Sequence, residues 1–349
     1  MDRKSLLPFG LGAALALLAA LPALDRTAAA SAPAPFPSVA PTPISSLPFT
    51  ISQPGTYCVT QDLVGVANQH GIDVNADGVI IDLGGYELVG VADSLTAVHA
   101  IPQVDLVVRN GRIRDWGDRG VTASGTAIVE DVKVRNCGGV GIFVGPYSIL
   151  ERCYVDGCGE VASMVNVRVG QSSEIVRCSV VGAFDNGVTG IDLGAGSAVR
   201  DSKSSGCSTG IHMNGPCAVT GCYVENAAEV GIALNGSCLV EDNIVSGCGV
   251  GIRALSQNVV RGNVVSSNLE AGLRAASDAN RFEDNMTSNN TGAGIELVGK
   301  HNLLIGNNSV QNLGPDFVTP LPNTVGAILS DFGTIQGNQP QANFRTPLF

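Results

Sequence analysis

The sequence predicts an all-β chain that forms a single right-handed parallel β-helix of about eleven coils. A small residue followed by an aliphatic one recurs eleven times, at intervals of 20 to 26 residues. Aliphatic residues recur three, nine and fourteen positions after these starts, and the apolar patches between turn residues are too short for ordinary helices. The eleven starts are Gly71, Ala97, Gly120, Gly141, Asn166, Gly190, Gly210, Gly231, Gly251, Gly272 and Gly294.

Each coil is expected to contain three short strands. Apolar residues alternate with polar ones within each patch, and β-branched residues dominate the inward positions, as is typical of strands. The six-residue period of a left-handed β-helix and the leucine-asparagine framework of a leucine-rich repeat are both missing from the sequence. With strands stacked about 4.8 Å apart, eleven coils would make a rod about 50 Å long.

One turn of each coil carries a small polar residue twelve positions after the start. Stacked side chains of this kind can hydrogen-bond along the rod and satisfy a sharp turn between strands. This predicted ladder consists of Cys153, Cys178, Ser202, Cys222, Asn243, Asn263 and, in a coil one residue longer, Asn285.

The N-terminal residues have the composition of a targeting segment. Residues 1–30 combine a short basic start, an apolar run over 6–24 and a small-residue cleavage site, which predicts a secretory signal peptide. A retained membrane anchor is the alternative, because this run approaches the spanning length of about 20 residues. Pro8 and Pro22 disfavour the anchor, and no later segment is long and apolar enough to span a membrane.

The remaining chain divides into four predicted segments. Residues 31–48 hold six of the chain's 17 prolines and predict an extended linker. We expect residues 49–70 to form an N-terminal cap, 71–310 the β-helix, and 311–349 a C-terminal cap that covers the exposed strand edges. The last segment breaks the repeat and supplies Phe317, Phe332, Phe344 and Phe349.

Composition restricts the possible partners. The chain has 20 basic and 31 acidic residues, for a net charge of -11. Binding to nucleic acid or to an anionic membrane surface needs clustered cations, so both are disfavoured. Hydrophobic residues make up 44% of the chain, which is enough to bury a large core.

Three segments carry a resemblance to a known superfamily. They are residues 50–57 (TISQPGTY), 79–86 (VIIDLGGY) and 108–113 (VRNGRI), and the Gly-Ile repeats follow to about residue 310. From Phe49 onward the chain resembles the right-handed parallel β-helix repeat proteins of the pectin-lyase-like superfamily. The resemblance implies a secreted or surface protein that meets polysaccharide. It names no reaction, because the superfamily includes lyases, glycosidases, epimerases and adhesins.

Candidate site residues lie two positions after each start, where side chains point outward from the first strand of each coil. We call this set the first-sheet column, and active sites of the resembling enzymes lie on this face. Glycines 145, 170 and 194, with Asn214 and Asn235, form the next outward column and are expected to leave room for a flat ligand. The first-sheet column consists of Asp73, His99, Thr122, Phe143, Arg168, Asp192, His212, Ala233, Arg253, Arg274 and Glu296.

The catalytic candidates are Arg168, Asp192 and His212, on three consecutive coils. Asp192 would orient His212, which would act as a general base towards a sugar. Arg168 or Arg253 would neutralise a uronate carboxylate. The alternative interpretation is an ordinary exposed ion pair on a solvated sheet, worth under about 1 kcal/mol. Further substrate-binding candidates are Arg253, Arg274, Asn214 and Trp116.

Trp116 is open to two interpretations. It is the only tryptophan and is flanked by arginine and aspartate, so it is a candidate platform for sugar stacking. The segment 112–119 resembles a common one in these repeat proteins, which favours packing at a turn.

The ten cysteines leave two alternatives open. An exported protein would ordinarily use them in disulfides. Their repeat positions equally suit stacked buried thiols. We expect no metal and no cofactor, because Cys-x-x-Cys pairs are missing from the sequence and no two carboxylates occupy adjacent coils of the first-sheet column.

The sequence is consistent with two functions. The first is a secreted or cell-surface protein, periplasmic or extracellular, that binds or modifies polysaccharide, as a lyase- or epimerase-like enzyme on acidic glycans. The second is a non-catalytic surface or adhesin-type rod. In both the partner is a polysaccharide or cell-envelope glycan and the protein is a monomer. An enzyme predicts a concave groove over the column, and a rod predicts a flat polar face.

Overall fold

A computed structural model describes residues 40–159, 165–182, 187–320, 322–330 and 341–346. The predicted signal peptide, most of the predicted linker, Phe332 and Phe349 lie outside these residues. The described chain contains 39 strands, and none of its residues lies in a helix. All strand pairs are parallel, and up to the C-terminal strands they join equivalent positions of successive coils, which confirms the predicted single right-handed β-helix. At the C-terminus, Asn343–Thr346 pairs with both Asn308–Val310 and Ile328–Ser330.

One sheet, here called the first sheet, contains 13 strands. In the order of the rod they are Phe49–Ile51, Ile72–Val74, Val98–Ala100, Val121–Ala123, Ile142–Val144, Val165–Val169, Thr189–Leu193, Thr209–Met213, Val230–Gly236, Val250–Ser256, Leu273–Ala275, Ile295–Leu297 and Phe317–Val318.

The other 26 strands belong to one hydrogen-bonded sheet that bends into two faces. The second face contains Thr42–Ile44, Gly55–Val59, Val79–Asp82, Ile149–Glu151, Glu174–Val176, Ala198–Arg200, Ala218–Thr220, Leu239–Glu241, Val259–Arg261, Arg281–Glu283, Leu303–Ile305 and Thr324–Val325. The third face contains Leu63–Val64, Glu87–Val89, Tyr154–Asp156, Ser179–Val181, Lys203–Ser205, Tyr223–Glu225, Ile244–Ser246, Val264–Ser266, Met286–Ser288, Asn308–Val310, Ile328–Ser330 and Asn343–Thr346. Leu106–Arg114 and Ala127–Arg135 run through both faces.

The core lies inside the rod and is made of stacked aliphatic residues. Side chains alternate between inside and outside along each strand because successive Cβ atoms of a strand point to opposite faces. Ile142, Val167, Ile191 and Ile211 are paired in register on consecutive coils and are at most 1% exposed. The predicted inward stack is therefore confirmed.

The turns are held together by three polar ladders rather than one. In each ladder a backbone N–H donates to the side chain of the equivalent residue on the next coil, as Asn263 does to Asn285 over 3.0 Å. The predicted ladder, twelve positions after the start, is present and extends through Asn307 to Asn343. Each of the other two ladders consists of asparagines over its C-terminal part. One contains Asn258, Asn280, Asn302 and Asn323. The other contains Asn268, Asn290 and Asn312.

All the cysteines except Cys58, which lies on the strand Gly55–Val59, occupy positions of these ladders. All ten are free thiols, and nine of them are buried. The backbone N–H of Cys153, for example, donates to Sγ of Cys178 over 3.4 Å, in the place where later coils use asparagine. Of the two alternatives left open by the sequence, the structure has the stacked thiols.

The ordered coils extend beyond the predicted β-helix at both ends. Thr42–Ile44 lies inside the predicted linker and pairs with Gly55–Val59, and Phe49–Ile51 pairs with Ile72–Val74 as a first-sheet strand. At the other end, Phe317–Val318 and Asn343–Thr346 pair with strands of the preceding coil. Residues predicted as caps thus contribute further coils.

No helix among the described residues is long and apolar enough to cross a membrane.

Candidate functional site

The parallel register assembles the first-sheet column as the sequence predicts. Arg168 is paired with Asp192, Asp192 with His212, and His212 with Ala233 on consecutive coils. Arg253 follows Ala233 on the next coil. Because coils repeat every 4.8 Å or so, these five outward positions span about 19 Å of the rod.

Asp192 is the centre of the candidate site. Its Oδ2 accepts a hydrogen bond from Nε of Arg168 at 2.9 Å, and its Oδ1 lies 2.9 Å from Nδ1 of His212. Nδ2 of Asn214 also donates to Oδ1, at 2.8 Å. The Asp192 side chain is only 14% exposed, whereas those of His212 and Arg168 are 32% and 45% exposed. The carboxylate is therefore enclosed by its partners, and the imidazole remains accessible.

The charge state of Asp192 follows from these contacts. Burial alone would raise the pKa of its carboxyl group. The hydrogen bond with His212 and the charge of Arg168 outweigh burial and hold this pKa below its usual range. Asp192 is therefore a carboxylate at neutral pH and acts as a hydrogen-bond acceptor.

The hydrogen-bond partners of the two ring nitrogens define the tautomer of His212. Nδ1 faces the Asp192 carboxylate, which only accepts, so Nδ1 carries the proton. Nε2 lies 3.3 Å from Nδ2 of Asn235, which donates, so Nε2 bears the lone pair. Asn235 also donates to Oδ1 of Asn214 over 3.2 Å. This network orients an imidazole whose basic nitrogen, Nε2, accepts the Asn235 amide in the ligand-free protein and can take a proton once that hydrogen bond is released.

The predicted substrate-binding residues differ in whether their side chains are already bound by other protein groups. Arg253 is exposed and makes no ion pair with any other described residue. Arg274 is bound by Glu296 at 2.6 Å and by Glu270 at 2.9 Å, so two protein carboxylates already occupy its guanidinium group. Asn214, predicted to bind substrate, is used to hold Asp192. Arg253 is consequently the cation best placed for an acidic ligand.

The prediction that Trp116 binds substrate is wrong, and the packing interpretation holds. Trp116 is 1% exposed, and its Nε1 donates to the backbone carbonyl of Leu88 at 3.2 Å. Its ring fills the space beside Gly65 and Gly71, where an added Cβ would come within 2.6 Å of the indole. A buried ring of this kind cannot stack on a sugar.

The glycine column beside the site has a structural cause. A Cβ at Gly145 would lie 2.1 Å from the carbonyl oxygen of Ser124, and a Cβ at Gly170 would lie 2.5 Å from the carbonyl carbon of Gly145. At Gly145 and Gly170 successive coils approach too closely for a side chain, whereas later coils carry Asn214 and Asn235 in this column. The open surface expected there is thus a consequence of backbone packing.

Two arrangements on the same column were not predicted as sites. The rings of His70 and His99 are stacked with centroids 4.0 Å apart, and His99 contacts Asp73. The guanidinium carbon of Arg119 lies 5.7 Å from the centroid of the Phe143 ring. Asp73, His99 and Phe143 were visible as column members. His70 and Arg119 precede their coil starts, and the repeat pattern gives no signal for them.

A cavity of about 620 Å³ opens at the turn between the first sheet and the second face. Cys217, Cys238, Gln257 and Arg261 are among its lining residues. None of the predicted site residues lines it, so this cavity lies beside the first-sheet column rather than over it.

Within the part of the chain that the structure describes, no group of three or more histidine, cysteine, aspartate or glutamate side chains is arranged to hold a metal ion.

The architecture and the family comparison agree on the class of protein. The family described as "Right handed beta helix region" matches residues 94–245 and 189–339, which together cover more than half of the chain. The chain therefore belongs to this right-handed β-helix family. No curated protein sequence matches it.

Solved structures with the same fold include three polysaccharide-acting proteins. The A-module of the Azotobacter vinelandii mannuronan C-5 epimerase AlgE4 has a TM-score of 0.55 and 10% identity, covering 82% of this chain and 90% of that one. The AlgE6 A-module of the same organism has a TM-score of 0.52 and 12% identity, with 84% and 91% covered. A PL6 family polysaccharide lyase of Pseudopedobacter saltans has a TM-score of 0.51 and 11% identity, with 84% and 89% covered. At this identity the likeness establishes the fold.

Proposed function

We propose that the chain is an exported enzyme that acts on an acidic polysaccharide, with the first-sheet column as its active site. The observation that carries the proposal is the oriented His212 on the same column as Arg253, two coils away, which makes no ion pair with another described residue. Solved structures with this fold include epimerases of mannuronan and a polysaccharide lyase, which supports a uronate polymer as the substrate class. The signal peptide predicted at residues 1–30 would deliver the enzyme to such a polymer outside the cytoplasm.

His212 is the proposed catalytic base. When a bound uronate displaces the Asn235 amide, the Nε2 lone pair would take the proton from C5 of the uronate ring. Arg253 would neutralise the carboxylate attached to that carbon. Neutralisation matters because the electrons of the broken C–H bond move onto the carboxylate in the intermediate. Asp192 is a positioning residue that holds the Nδ1 proton of His212 and stabilises the imidazolium ion that forms.

β-Elimination fits this arrangement better than epimerisation. In elimination the C4–O4 bond breaks as the C4–C5 double bond forms, and the imidazolium that gained the C5 proton can return it to the departing O4. One group therefore completes a syn elimination. Epimerisation needs in addition a proton donor on the opposite face of the ring, so it requires a second catalytic group where syn elimination requires one. We therefore propose a lyase.

A non-catalytic rod is the second candidate function, and two observations favour it. The Arg168 side chain is 45% exposed, so its pair with Asp192 contributes no more than about 1 kcal/mol to stability and resembles many surface ion pairs. The 620 Å³ cavity lies beside the column rather than over it. A rod would bind a glycan through Arg253 and its neighbours without turning it over.

The deciding experiment is an assay of the protein on polymannuronate, polyguluronate, polygalacturonate and glucuronan. Ultraviolet absorbance follows unsaturated products, and NMR follows the ratio of sugar epimers. A lyase releases unsaturated products that the His212→Ala variant does not release, whereas His301→Ala, an exposed histidine away from the column, is active. A wild-type protein that binds these polymers without products supports the rod. One that neither binds nor cleaves them refutes the proposed substrate class.

A further inference from the structure

Tyr147 is an aromatic residue on the outside of the turn between the first sheet and the second face. It is 63% exposed, the highest value of any tyrosine, phenylalanine or tryptophan among the described residues. The other exposed aromatic residues are Tyr86, Tyr223 and Phe344, which are 36–38% exposed. Most of the Tyr147 ring is therefore accessible to a ligand.

The backbone of Tyr147 has a conformation that bulky residues seldom adopt. Its φ is 58°, in the left-handed region. Its backbone N–H donates to the carbonyl group of Gln171, and the same bond recurs on other coils, which identifies the equivalent turn residues. These are mostly small or polar: Ser172, Gly196, Ser237, Gln257, Ala279 and His301. The turn thus forms without an aromatic ring, and residues held in unfavourable backbone conformations are concentrated at functional sites.

The ring of Tyr147 is not engaged by the protein in the way that other tyrosine rings are. The hydroxyl group of Tyr57 donates to a backbone carbonyl group at 2.9 Å. Tyr154 and Tyr223 each have a cation over the ring, 5.1 and 5.3 Å from the centroid. Tyr147 has no hydrogen bond of its hydroxyl group, aromatic pair or cation over its ring from another described residue. Neither its hydroxyl group nor its ring is committed to the fold.

A second aromatic residue lies on the same coil as Tyr147. Phe143 is half-buried in the first-sheet column, and its ring already has the guanidinium carbon of Arg119 at 5.7 Å. Phe143 and Tyr147 lie before and after Gly145, where the close approach of the preceding coil excludes a side chain. The outer surface of this coil is therefore aromatic, and Tyr147 supplies the ring that has no protein partner.

This aromatic coil lies at a fixed distance from the proposed catalytic base. Three coil steps along the first sheet separate it from the coil of His212, a distance of about 14 Å. Arg253 lies two coil steps from His212 in the opposite direction. A polymer that follows the rod axis and has one sugar at His212 and Arg253 would therefore pass beside Tyr147 with a sugar further along its chain.

The chemistry of a tyrosine ring suits a sugar ring better than a charged group. The C–H face of a sugar ring is apolar and packs on an aromatic ring, and the phenol hydroxyl group can both donate to and accept from sugar hydroxyl groups. The stacked bases of a nucleic acid are the other common partners of exposed aromatic rings, and the net charge of -11 disfavours them. Stacking adds affinity without a carboxylate contact, so it differs in kind from the interaction proposed for Arg253.

We propose that Tyr147 is a stacking platform for a sugar of the bound glycan, three coil steps from the sugar held at His212. This inference rests on the proposed function, because it assigns the same polymer to the same face of the rod. A long oligomer would contact Tyr147 as well as His212 and Arg253, and a short one would contact only the latter two. Joining two contacts in one ligand raises its affinity above that of either contact alone.

The test is calorimetric titration with oligouronates of increasing length, from disaccharide to hexasaccharide. All proteins carry His212→Ala so that no ligand is cleaved. In this parent, affinity should rise about tenfold once the oligomer extends three coil steps beyond residue 212, as expected for one aromatic stacking contact. Tyr147→Ser, which introduces the residue found at the equivalent position of the next coil, should remove this rise and leave the affinity for short oligomers unchanged. Tyr147→Phe should retain the rise because the ring is kept.

Salt separates stacking from charge. In concentrated salt the affinity for short oligomers should fall, because exposed charges are screened. The rise with length should persist, because stacking involves no charge on the protein. A rise that disappears in concentrated salt would show that a charged group, rather than the ring of Tyr147, binds the distal sugar, and would overturn the proposal.

The matched control is Tyr223→Ser, which changes an exposed tyrosine on the third face and should retain the rise. Affinity that does not depend on length, or a rise that persists in Tyr147→Ser, overturns the stacking platform while the proposed function stands. Loss of the rise in Tyr147→Phe also overturns it, because the hydroxyl group would then be the binding group. If oligouronates of every length fail to bind, the proposed function is refuted and the platform is refuted with it.

Discussion

Oδ1 of Asp192 lies 2.9 Å from Nδ1 of His212, and the two residues occupy equivalent outward positions of consecutive coils. In a parallel β-helix such neighbours are set about 4.8 Å apart by the strand spacing, which brings a carboxylate and an imidazole into contact without any special loop. The site is thus built by the repeat itself. A change of one residue in the register would turn Asp192 or His212 into the core.

The first prediction concerns the acid sensitivity of the fold. The pKa of Asp192 is lowered in the folded protein, so its ionised form stabilises the fold above the unfolded pKa of about 3.9. This contribution is lost as the pH falls through the folded pKa. We expect the free energy of unfolding of the wild type to fall more steeply than that of Asp192→Asn between about pH 4 and pH 2, measured by urea denaturation.

The control for this prediction is Asp105→Asn, in an exposed turn residue whose backbone φ of 57° asparagine adopts readily. Its acid profile should follow that of the wild type. Parallel profiles for the wild type and Asp192→Asn would show that the contacts of Asp192 contribute nothing to folding.

The second prediction concerns the polar ladders. The two N–H bonds of Nδ2 of Asn263 are shared among three acceptors, the carbonyl groups of Val240 and Arg261 and Oδ1 of Asn285. Its own Oδ1 accepts the backbone N–H of Asn243. Replacing it with alanine leaves several buried polar groups without partners. Asn263→Ala should therefore lower the free energy of unfolding by about 3 kcal/mol or more, measured by urea denaturation.

Asn308 provides a matched comparison, because it lies on the third face with its side chain exposed. Asn308→Ala should change the free energy of unfolding by less than about 0.5 kcal/mol. Equal effects of the two alanine substitutions would mean that the ladder does not stabilise the turn.

The third prediction separates a buried tryptophan from a sugar platform. Trp116 is the only tryptophan in the chain, so its fluorescence is free of other indole signals. The emission should have the short wavelength of a buried indole and should not change when uronate oligomers are added. Trp116→Ala should destabilise the fold by about 3–5 kcal/mol because it leaves a large cavity. Quenching by a glycan would contradict the assignment.

The sequence was sufficient to predict the fold and the members of the first-sheet column, but it did not predict which side chains contact one another. The repeat of Ile142, Val167 and Ile191 follows from a physical constraint, because each coil must place an apolar residue inside the rod. The same register placed Asp192 beside His212. Whether an outward arginine is already paired with a protein carboxylate depends on side-chain rotamers and on the residues of adjoining coils. The sequence alone therefore could not distinguish Arg253 from Arg274. Trp116 was ambiguous for the same reason.

The fourth prediction concerns the C-terminal residues. Strands Phe317–Val318, Thr324–Val325 and Asn343–Thr346 pair with the last complete coil and cover its edges. Deleting residues 311–349 would expose those edges and leave Asn302 and Asn307 without ladder partners. The truncated protein should aggregate, as measured by light scattering after size-exclusion chromatography. A soluble, monomeric truncation would contradict this role.

The last prediction distinguishes the two arginines near His212. Arg253 makes no ion pair with another described residue, whereas Arg168 is bound to Asp192 at 2.9 Å. If Arg253 binds the substrate carboxylate, Arg253→Gln should weaken the binding of a uronate oligomer by about 10- to 100-fold, the value of a hydrogen bond to a charged group. Arg253→Lys should recover part of this loss, because an ammonium group supplies the charge but not the two-pronged geometry.

Arg168→Gln should instead act through Asp192. Loss of the neighbouring charge would raise the pKa of Asp192 towards its ordinary value, since that charge is one of the causes that lower it. The acidic limb of the pH-activity profile should then move to higher pH, with little change in affinity for the oligomer. Arg281→Gln, which alters an exposed arginine of the second face, is the control for both measurements. If Arg168→Gln weakens binding as much as Arg253→Gln, both arginines contact the ligand and the division of roles is wrong.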